Sequence, residues 1–252
     1  MIHAGLTATE LQRYDRQILI RQIGRAGQKR LKRANVLIAG AGGLGSPIAM
    51  YLAAAGVGKL TLIDCDKVET GNLNRQLLHW QSDVGRPKGE SAHEKLIRLN
   101  PDIRVKARST KINNRNAPKL AAEFDAIVDA LDNPTSRYIL NRAAVTCGTP
   151  FFHGAVEGFE GRAMSILPGR SACLRCLYKG PVPEAVIPVI GVTPGIIGTI
   201  QATEVIKFLI GKGKLLTDRM IRYDGLAMAF REFRIQRNPD CDHCGNRHHN
   251  RL

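Results

Sequence analysis

The sequence predicts an α/β protein of the Rossmann-like class, in which a mostly parallel sheet has helices on both faces and is extended by antiparallel strands. Three observations support this prediction. A glycine-rich turn, GAGGLG, joins an apolar run to a helical segment, as in nucleotide-binding folds. Apolar runs and helical segments then alternate through residues 34–150, which is typical of parallel sheets. Two Cys-x-x-Cys pairs further along predict a metal site.

The composition is that of a soluble globular protein. At 252 residues, of which 44% are hydrophobic, the chain can bury one large core. It has neither an apolar leader nor a run of about 20 apolar residues, so we expect a cytoplasmic protein that does not contact a membrane. The net charge of +15 favours an acidic partner. Because the basic residues are spread along the chain without aromatic interleaving, nucleic acid is a disfavoured partner and a solvated basic surface is the alternative.

The first strand is predicted over Val36–Ala39, since four consecutive apolar residues suit a strand that is buried on both faces. A G-x-G-x-x-G pattern follows it. Ser46 is expected to cap the next helix and Pro47 to lie in its first turn, so that free amides face the loop. The loop therefore predicts a phosphate ligand, with NAD and ATP both open at this point. The three glycines of the pattern are Gly40, Gly42 and Gly45.

The later elements follow from the same periodicities, and the closing strands are expected to pair antiparallel because no helices separate them. Prolines interrupt the segment before the last helix and predict an irregular crossing loop. These prolines are Pro181, Pro183 and Pro188. Strands are predicted at Lys59–Asp64, Ile103–Ala107, Phe124–Leu131, Phe151–Val156, Gly161–Leu167, Met220–Asp224 and Met228–Arg237. Further helices are predicted at Ser46–Gly56, Glu90–Leu99, Ala117–Glu123, Thr135–Cys147 and Thr193–Gly211.

Four of the six cysteines form the two Cys-x-x-Cys pairs. In a reducing compartment such pairs are typical of tetrahedral zinc. Four thiolates leave no open coordination position, so a structural zinc that ties the tail to the middle of the chain is favoured over a catalytic metal or redox pairs. The two other cysteines, Cys65 and Cys147, are interpreted as buried structural thiols. The predicted zinc ligands are Cys173, Cys176, Cys241 and Cys244.

Polar residues beyond the second and fourth strands favour ATP over NAD. Asp64 lies about 20 residues after the glycines, where a carboxylate can accept hydrogen bonds from a ribose. Arg75 and Lys88 suit the additional phosphates of a triphosphate. Asp132 and Asn133 follow a buried strand at the edge where open α/β sheets bind ligands, and a carboxylate there can hold Mg²⁺. The alternatives are a surface ion pair for Arg75, a solvated position for Lys88 and a helix cap for Asp132.

The ordered set of motifs resembles the ThiF, MoeB and HesA family, which is related to the ubiquitin-activating enzymes. Between about Tyr14 and Gly245, the motifs are RYDRQ, GAGGLGS, LTLIDCD, NLNRQ, GRPK, DALDN, the paired Cys-x-x-Cys and GTIQATEVIK. Members of this family bind MgATP and the C-terminal Gly-Gly of a small ubiquitin-fold sulfur carrier, form an acyl-adenylate and release pyrophosphate. The resemblance therefore implies an adenylyltransferase that acts on such a carrier and binds ATP, Mg²⁺ and Zn²⁺.

The resemblance also implies roles for individual residues. Catalysis would depend on Arg75, Lys88 and Asp132, together with Arg16 from the second subunit of a homodimer. We expect one domain over 1–252, made of an N-terminal helical arm (1–33), a nucleotide-binding half (34–150) and a carrier-binding and zinc half (151–245). The implied nucleotide-binding residues are Gly40, Gly42, Gly43, Gly45, Asp64, Asn72, Arg75, Gln76, Lys88, Asp132 and Asn133.

One position departs from the family pattern. Many relatives carry a cysteine in the crossing loop that links covalently to the carrier, and Glu184 stands near that place here. Since no cysteine occurs between Cys176 and Cys241, we expect adenylation without a covalent enzyme step. Three alternatives remain open: an NAD-dependent dehydrogenase, a non-catalytic scaffold, and a family relative that acts on a peptide or a tRNA base.

Overall fold

The computed structural model describes residues 5–178, 180 and 187–245, which contain one eight-stranded sheet with helices on both faces. The strands are β1 (Asn35–Ala39), β2 (Lys59–Ile63), β3 (Arg104–Arg108), β4 (Ala126–Asp129), β5 (Phe151–Glu157), β6 (Glu160–Ile166), β7 (Arg219–Asp224) and β8 (Ala229–Arg234). The helices are α1 (Ala8–Arg13), α2 (Asp15–Ile18), α3 (Gly24–Arg33), α4 (Gly45–Ala54), α5 (Lys88–Leu99), α6 (Ala117–Glu123), α7 (Pro134–Cys147), α8 (Leu174–Leu177) and α9 (Val192–Ile210).

The sheet confirms the predicted class. Its strand order is β3-β2-β1-β4-β5-β6-β7-β8. The strands from β3 to β5 run parallel, and each later pair runs antiparallel. Because β1 pairs with β2 on one side and with β4 on the other, the chain order reverses between β1 and β4. Ligands of open α/β sheets bind at such a reversal, beyond the carboxyl ends of the strands.

The packing of strand β1 explains why Val36–Ala39, which follow its first residue Asn35, form an unbroken apolar run. Val36 and Ile38 belong to the core that also contains residues of α3, α4, α5 and α9. Leu37 and Ala39 belong to the core that contains residues of α6 and α7. All four side chains are fully buried. Helices therefore cover both faces of the strand, which leaves no position for a polar side chain.

Most predicted elements agree with the structure to within two residues. Strand β8 ends at Arg234, three residues before the predicted Arg237, and β4 is shorter than the predicted Phe124–Leu131. Its ends are taken by neighbouring elements, since Phe124 closes α6 and the amide of Leu131 donates to the Asp129 carboxylate at 3.1 Å. The prediction that Ser46 caps α4 is wrong. The helix already begins at Gly45, and the Ser46 hydroxyl donates to the carbonyl of Gly42 at 2.8 Å.

The crossing loop is described at its return end. The amide of Gly158, in the turn between β5 and β6, donates to the carbonyl of Pro188 at 2.6 Å, and the amide of Ile190 donates to the carbonyl of Gly158 at 3.3 Å. Pro181, Pro183 and Glu184 lie outside the described residues, as does the chain after Gly245. Within the described ranges, no helix combines the length and apolar character that a membrane crossing requires.

Candidate nucleotide site and metal centre

The glycine loop follows β1 at the reversal point, and two of its glycines are required by close packing. Gly40 has a φ of +102°, and a Cβ atom there would lie 2.5 Å from the carbonyl oxygen of Ala130. A Cβ atom on Gly45 would overlap the carbonyl oxygen of Gly40. At Gly42 the nearest atom would instead be Nε2 of Gln76, at 3.4 Å. The loop is therefore closely packed against backbone atoms at Gly40 and Gly45, and it is open at Gly42.

The segment that carries Arg75 and Gln76 lies against this loop. A Cβ atom on Gly43 would lie 3.6 Å from the carbonyl oxygen of Arg75 and 3.3 Å from the Pro194 side chain in α9. Gln76 is buried, and its Oε1 has no hydrogen-bond partner in the part of the chain that the structure describes. Since buried polar atoms are nearly always hydrogen-bonded, an orphaned amide beside a glycine loop fits a ligand site.

Asp64 follows β2 and holds two turns in place. Its Oδ2 accepts a hydrogen bond from the amide of Ala41 at 2.8 Å, and its Oδ1 accepts one from the amide of Asp66 at 2.8 Å. Each carboxylate oxygen has a further lone pair. Asp64 can therefore still accept a hydrogen bond from a ribose hydroxyl, as predicted, while the same side chain positions the glycine loop.

Two cations of the predicted site, Lys88 and Arg75, each have polar partners from the same part of the chain. Lys88 begins α5, is 6% exposed, and has its Nζ 3.1 Å from the carboxylate of Asp66. Arg75 donates from Nη1 to the carbonyl of Gly71 at 2.7 Å and to Oδ1 of Asn74 at 3.0 Å. Lys88 is thus not a solvated lysine, and Arg75 forms no ion pair among the described residues.

The end of β4 brings Asp132 and Asn133 beside the glycine loop, because the amide of Ala130 donates to the carbonyl of Ala39 at 2.9 Å. Asn133 caps α7, with its side chain accepting from the amide of Ser136 at 2.8 Å. Asp132 is exposed. The cap that sequence reasoning considered for Asp132 is therefore supplied by its neighbour, and the Asp132 carboxylate faces solvent, where it can meet a cation.

Arg16 is not brought to the glycine loop of its own chain. Its neighbour Gln17 donates to the carbonyl of Ala55 at 2.9 Å, which places this part of the arm at the C-terminal end of α4. The glycine loop precedes the other end of that ten-residue helix, about 15 Å away. Arg16 is exposed and has no ion pair with Asp15 or any other described residue.

Sequence reasoning missed His79, which lies between the loop and α5. Its Nε2 is 2.9 Å from the carbonyl oxygen of Ala41, and its Nδ1 is 2.8 Å from Oγ of Ser91. Burial lowers the pKa of His79 below its ordinary value, and the charges of Lys95 and Lys88 act in the same direction. A lone histidine in a polar segment carries no sequence signal of such a position.

A second buried polar cluster lies below the end of β4. Asp129 and His153 are both fully buried, with Oδ2 and Nδ1 2.7 Å apart. Gln201 donates to the carbonyl of Asp129 at 2.8 Å, and Arg137 donates to the carbonyl of Gly154 at 2.9 Å. Burial lowers the pKa of His153. The carboxylate of Asp129 thus faces inward, and these residues hold the backbone that leads to the predicted magnesium ligand.

The four predicted metal ligands converge. Their Sγ atoms all lie within 4.8 Å of one another, and all four residues are buried. The Sγ atoms of Cys173 and Cys241 are 3.6 Å apart, and those of Cys176 and Cys244 are 3.4 Å apart. A tetrahedral zinc with bonds of about 2.3 Å separates its sulfurs by about 3.8 Å. The cluster can therefore hold a metal ion of this kind, and it joins α8 to the C-terminal segment.

The prediction that Cys65 and Cys147 are buried is wrong, because both are exposed. Cys65 stands in the turn after β2, where partial burial and then the carboxylates of Asp66 and Asp64 raise the pKa of its thiol. Cys147 ends α7 with its Sγ 3.5 Å from the carbonyl oxygen of Pro118. Both residues lie at the ends of elements, where an apolar pattern does not tell the inner face from the outer one.

Comparisons with known proteins give the family. The model of the ThiF family matches residues 14–243. The chain is 42% identical over 251 residues to "Sulfur carrier protein adenylyltransferase" of Thermus thermophilus, covering 95% of this chain and 93% of that protein. It is 44% identical over 247 residues to "SAMP-activating enzyme E1" of Haloferax volcanii, covering 96% and 91%. A crystal structure of E. coli MccB with AMPCPP and MccA has a TM-score of 0.85 at 26% identity, covering 95% of this chain and 76% of that one. The chain belongs to the ThiF family.

Proposed function

We propose that this chain is an ATP-dependent adenylyltransferase that activates the C-terminal Gly-Gly carboxylate of a small ubiquitin-like sulfur-carrier protein. The observation that carries the proposal is the meeting of three elements at the reversal point of the sheet: the glycine loop, the segment with Arg75, and the start of α5 with Lys88, which His79 links to the loop through Ser91 and Ala41. The names of the 42% and 44% identical relatives support the activity and the substrate class. An NAD-dependent dehydrogenase gives these cations no role.

The reaction needs no general base. A chain-terminal carboxylate has a pKa of about 3.5 and is ionised at neutral pH. One of its oxygens attacks the α-phosphorus of ATP, the bond from that phosphorus to the oxygen bridging to the β-phosphate breaks, and pyrophosphate leaves with the bonding electrons. The protein accelerates this step by aligning two anions and offsetting their charge.

Each predicted residue has a part in this arrangement. The loop amides and the N-terminus of α4 bind phosphate. Asp64 accepts from the ribose, and Asp132 would hold Mg²⁺, which when bound would neutralise part of the triphosphate charge. Arg75 and Lys88 stabilise charge on the phosphates as the leaving group departs. The remaining nucleotide contacts are Gly40, Gly42, Gly43, Gly45, Asn72, Gln76 and Asn133.

A homodimer supplies Arg16 to the site of the second subunit. The position of Arg16 at the far end of α4 from its own glycine loop supports this arrangement. Next to it, Leu19 and Ile20 are 69% and 47% exposed, as expected of residues that a second copy covers. A guanidinium that enters a phosphate site from a neighbouring subunit acts as an arginine finger in trans.

The four-cysteine cluster binds Zn²⁺ as a structural staple, because four soft ligands leave no open position for catalysis. Because no cysteine occurs between Cys176 and Cys241, we infer adenylation without a covalent enzyme step. The raised pKa of the Cys65 thiol keeps it protonated and thus a poor nucleophile. Sulfur transfer is left to another protein.

ATP–pyrophosphate exchange tests the proposal. The purified chain should exchange label with MgATP and a ubiquitin-like carrier that ends in Gly-Gly, and should not do so with a carrier that lacks the last glycine. Asp132→Ala and Lys88→Ala should abolish exchange, whereas Lys106→Ala, at an exposed lysine on β3, should retain it. Exchange that requires a free peptide or a tRNA in place of the carrier would overturn the substrate class, and exchange in Asp132→Ala would remove the magnesium assignment.

Subunit mixing tests the contribution of Arg16. Dimers of Arg16→Ala and dimers of Asp132→Ala should each be inactive. After random exchange, half of the dimers are mixed and each contains one intact site, so activity should recover to roughly a quarter of wild type by two-fold symmetry. If native mass spectrometry finds the heterodimers and activity stays absent, Arg16 does not act in trans.

A further inference from the structure

His79 connects the glycine loop with two other parts of the nucleotide site. The side chain is 3% exposed and lies between Ala41 in the loop and Ser91 in α5. Ser91 is one turn after Lys88 on that helix, and the backbone amide of His79 donates to the carbonyl of Gln76 at 2.9 Å. The imidazole therefore contacts the glycine loop and α5, and His79 itself belongs to the segment that carries Arg75 and Gln76.

The partners of the ring determine which nitrogen carries the proton. The carbonyl oxygen of Ala41 can only accept, so Nε2 of His79 carries the hydrogen and donates to it. Nδ1 is then an acceptor, to which the Ser91 hydroxyl 2.8 Å away can donate, while the Ser91 oxygen accepts from Nζ of Lys95 at 2.8 Å. Lys95 also pairs with the carboxylate of Asp83. A neutral imidazole is thus satisfied on both nitrogens, and burial together with the nearby lysines disfavours a charged one.

Holding the carbonyl of Ala41 sets the direction of the next amide. In a planar trans peptide, the carbonyl oxygen of one residue and the N–H of the next point in opposite directions. The N–H of Gly42 therefore points away from His79, and it donates to no described residue. Asp64 accepts from the N–H of Ala41, which belongs to the preceding peptide unit, so the peptide units on both sides of the Ala41 Cα are each held by a hydrogen bond. The result is a fixed, unpaired amide on the open side of the loop, which is what an anion site needs.

We propose that His79 is a positioning residue for the nucleotide: through its Nε2–H it holds the Ala41 carbonyl so that the Gly42 amide faces the phosphates of ATP. This inference rests on the proposed function. We expect the effect to fall on nucleotide binding, because the hydrogen bond orients the glycine loop.

Two conservative variants separate the bonds of the two ring nitrogens. In His79→Gln the terminal amide nitrogen can reach the place of Nε2 and keep the bond to Ala41. In His79→Asn the shorter side chain reaches only the place of Nδ1, so the Ala41 carbonyl loses its partner. His93→Gln, at a half-buried histidine of α5, is the matched control. Ser91→Ala removes the partner of Nδ1 and one hydrogen bond of Lys95, and it leaves the bond from Nε2 to Ala41 in place.

The experiment measures MgATP affinity by isothermal titration calorimetry, thermal unfolding, and the KM values for ATP and for the carrier in the exchange assay. His79→Asn should bind MgATP about tenfold more weakly, the size expected when a buried carbonyl loses its donor. Its KM for ATP should rise equally while its KM for the carrier stays unchanged. His79→Gln, Ser91→Ala and His93→Gln should bind MgATP within about twofold of wild type.

Thermal unfolding guards against a purely structural explanation, because His79→Gln, His79→Asn and Ser91→Ala should all unfold at lower temperature. The positioning role is overturned if the Gln and Asn variants lose affinity equally, or if Ser91→Ala loses as much as His79→Asn. Should the Asn variant fail to fold, a tenfold loss in Ser91→Ala or His79→Gln still refutes the role. A wild-type protein that binds MgATP without exchange on any Gly-Gly carrier overturns the proposed function and leaves the positioning role intact.

Discussion

Two glycines of the loop should respond differently to substitution by alanine: Gly45→Ala should lower the stability of the fold, whereas Gly42→Ala should lower the affinity for MgATP. A Cβ atom on Gly45 would lie 2.8 Å from the carbonyl carbon of Gly40 and would overlap its oxygen, so the backbone must move. Overpacking of a buried site costs about 3 kcal/mol where backbone shifts are needed. The helix preference of alanine offsets at most about 1 kcal/mol of this, because Gly45 is the first residue of α4 and that preference is measured in helix interiors. Gly45→Ala should therefore lose at least about 2 kcal/mol, which lowers the Tm of a domain of this size by about 4–8 °C.

Gly42→Ala is the contrasting variant. Its Cβ would have only the flexible end of the Gln76 side chain nearby, at 3.4 Å, and Gly42 is not among the glycines with positive φ. Its Tm should change by less than about 2 °C. MgATP affinity should nevertheless fall at least about tenfold, because the methyl group stands where the backbone must approach phosphate. Differential scanning fluorimetry and calorimetric titration measure both. Unchanged MgATP affinity in Gly42→Ala, or equal Tm losses in the two variants, would refute this account of the loop.

Three further outcomes are expected. Metal analysis should find one zinc per chain and chelation should lower the Tm, because ligand binding to the native state stabilises it; a native protein without stoichiometric metal contradicts the staple. Cys65→Ser and Cys147→Ser should both retain exchange, and a reductant-sensitive adduct of either cysteine with the carrier, detected by mass spectrometry, would reveal a covalent step. Stability in urea should fall from pH 7 to pH 5.5, since burial lowers the pKa of His79 and His153 while the unfolded chain takes up protons near the ordinary value of 6.5. The unfolded state then binds more protons than the folded state, and two such groups change the unfolding free energy by at most roughly 2.7 kcal/mol per pH unit; equal stability at both pH values would show that these imidazoles titrate normally.

The fold could be predicted from the sequence because the strands of the parallel part leave recognisable local residue patterns. In β1, Val36–Ala39 must be apolar because helices cover both faces of the strand, and close packing in the turn after it requires glycine at Gly40 and Gly45. Such constraints act on neighbouring residues and therefore leave a local pattern. The short helix α8 was missed, because four residues are too few to leave one.

Boundaries and caps were predicted less well, for a physical reason. Ser46 has the residue type of an N-cap, yet tertiary packing of Gly45 against Gly40 lets the helix begin one residue earlier. The exposure of Cys65 and Cys147 likewise depends on what packs against the ends of β2 and α7. Distant segments decide both outcomes, and a single sequence does not record which segments meet.

The candidate site shows the same difference between residues that form local motifs and residues that are brought in by distant segments. Residues expected to touch the nucleotide carry charge or are glycines, and they cluster in short motifs because one turn must present several of them at once. Residues that hold those motifs come from anywhere in the fold: His79 reaches Ala41 across 38 positions, and Gln201 reaches the carbonyl of Asp129 across 72. Their chemistry is that of ordinary buried polar groups, which must be hydrogen-bonded wherever they lie. A sequence pattern can therefore point to the groups that are proposed to bind the ligand, whereas only the fold shows the hydrogen bonds that hold these groups in place.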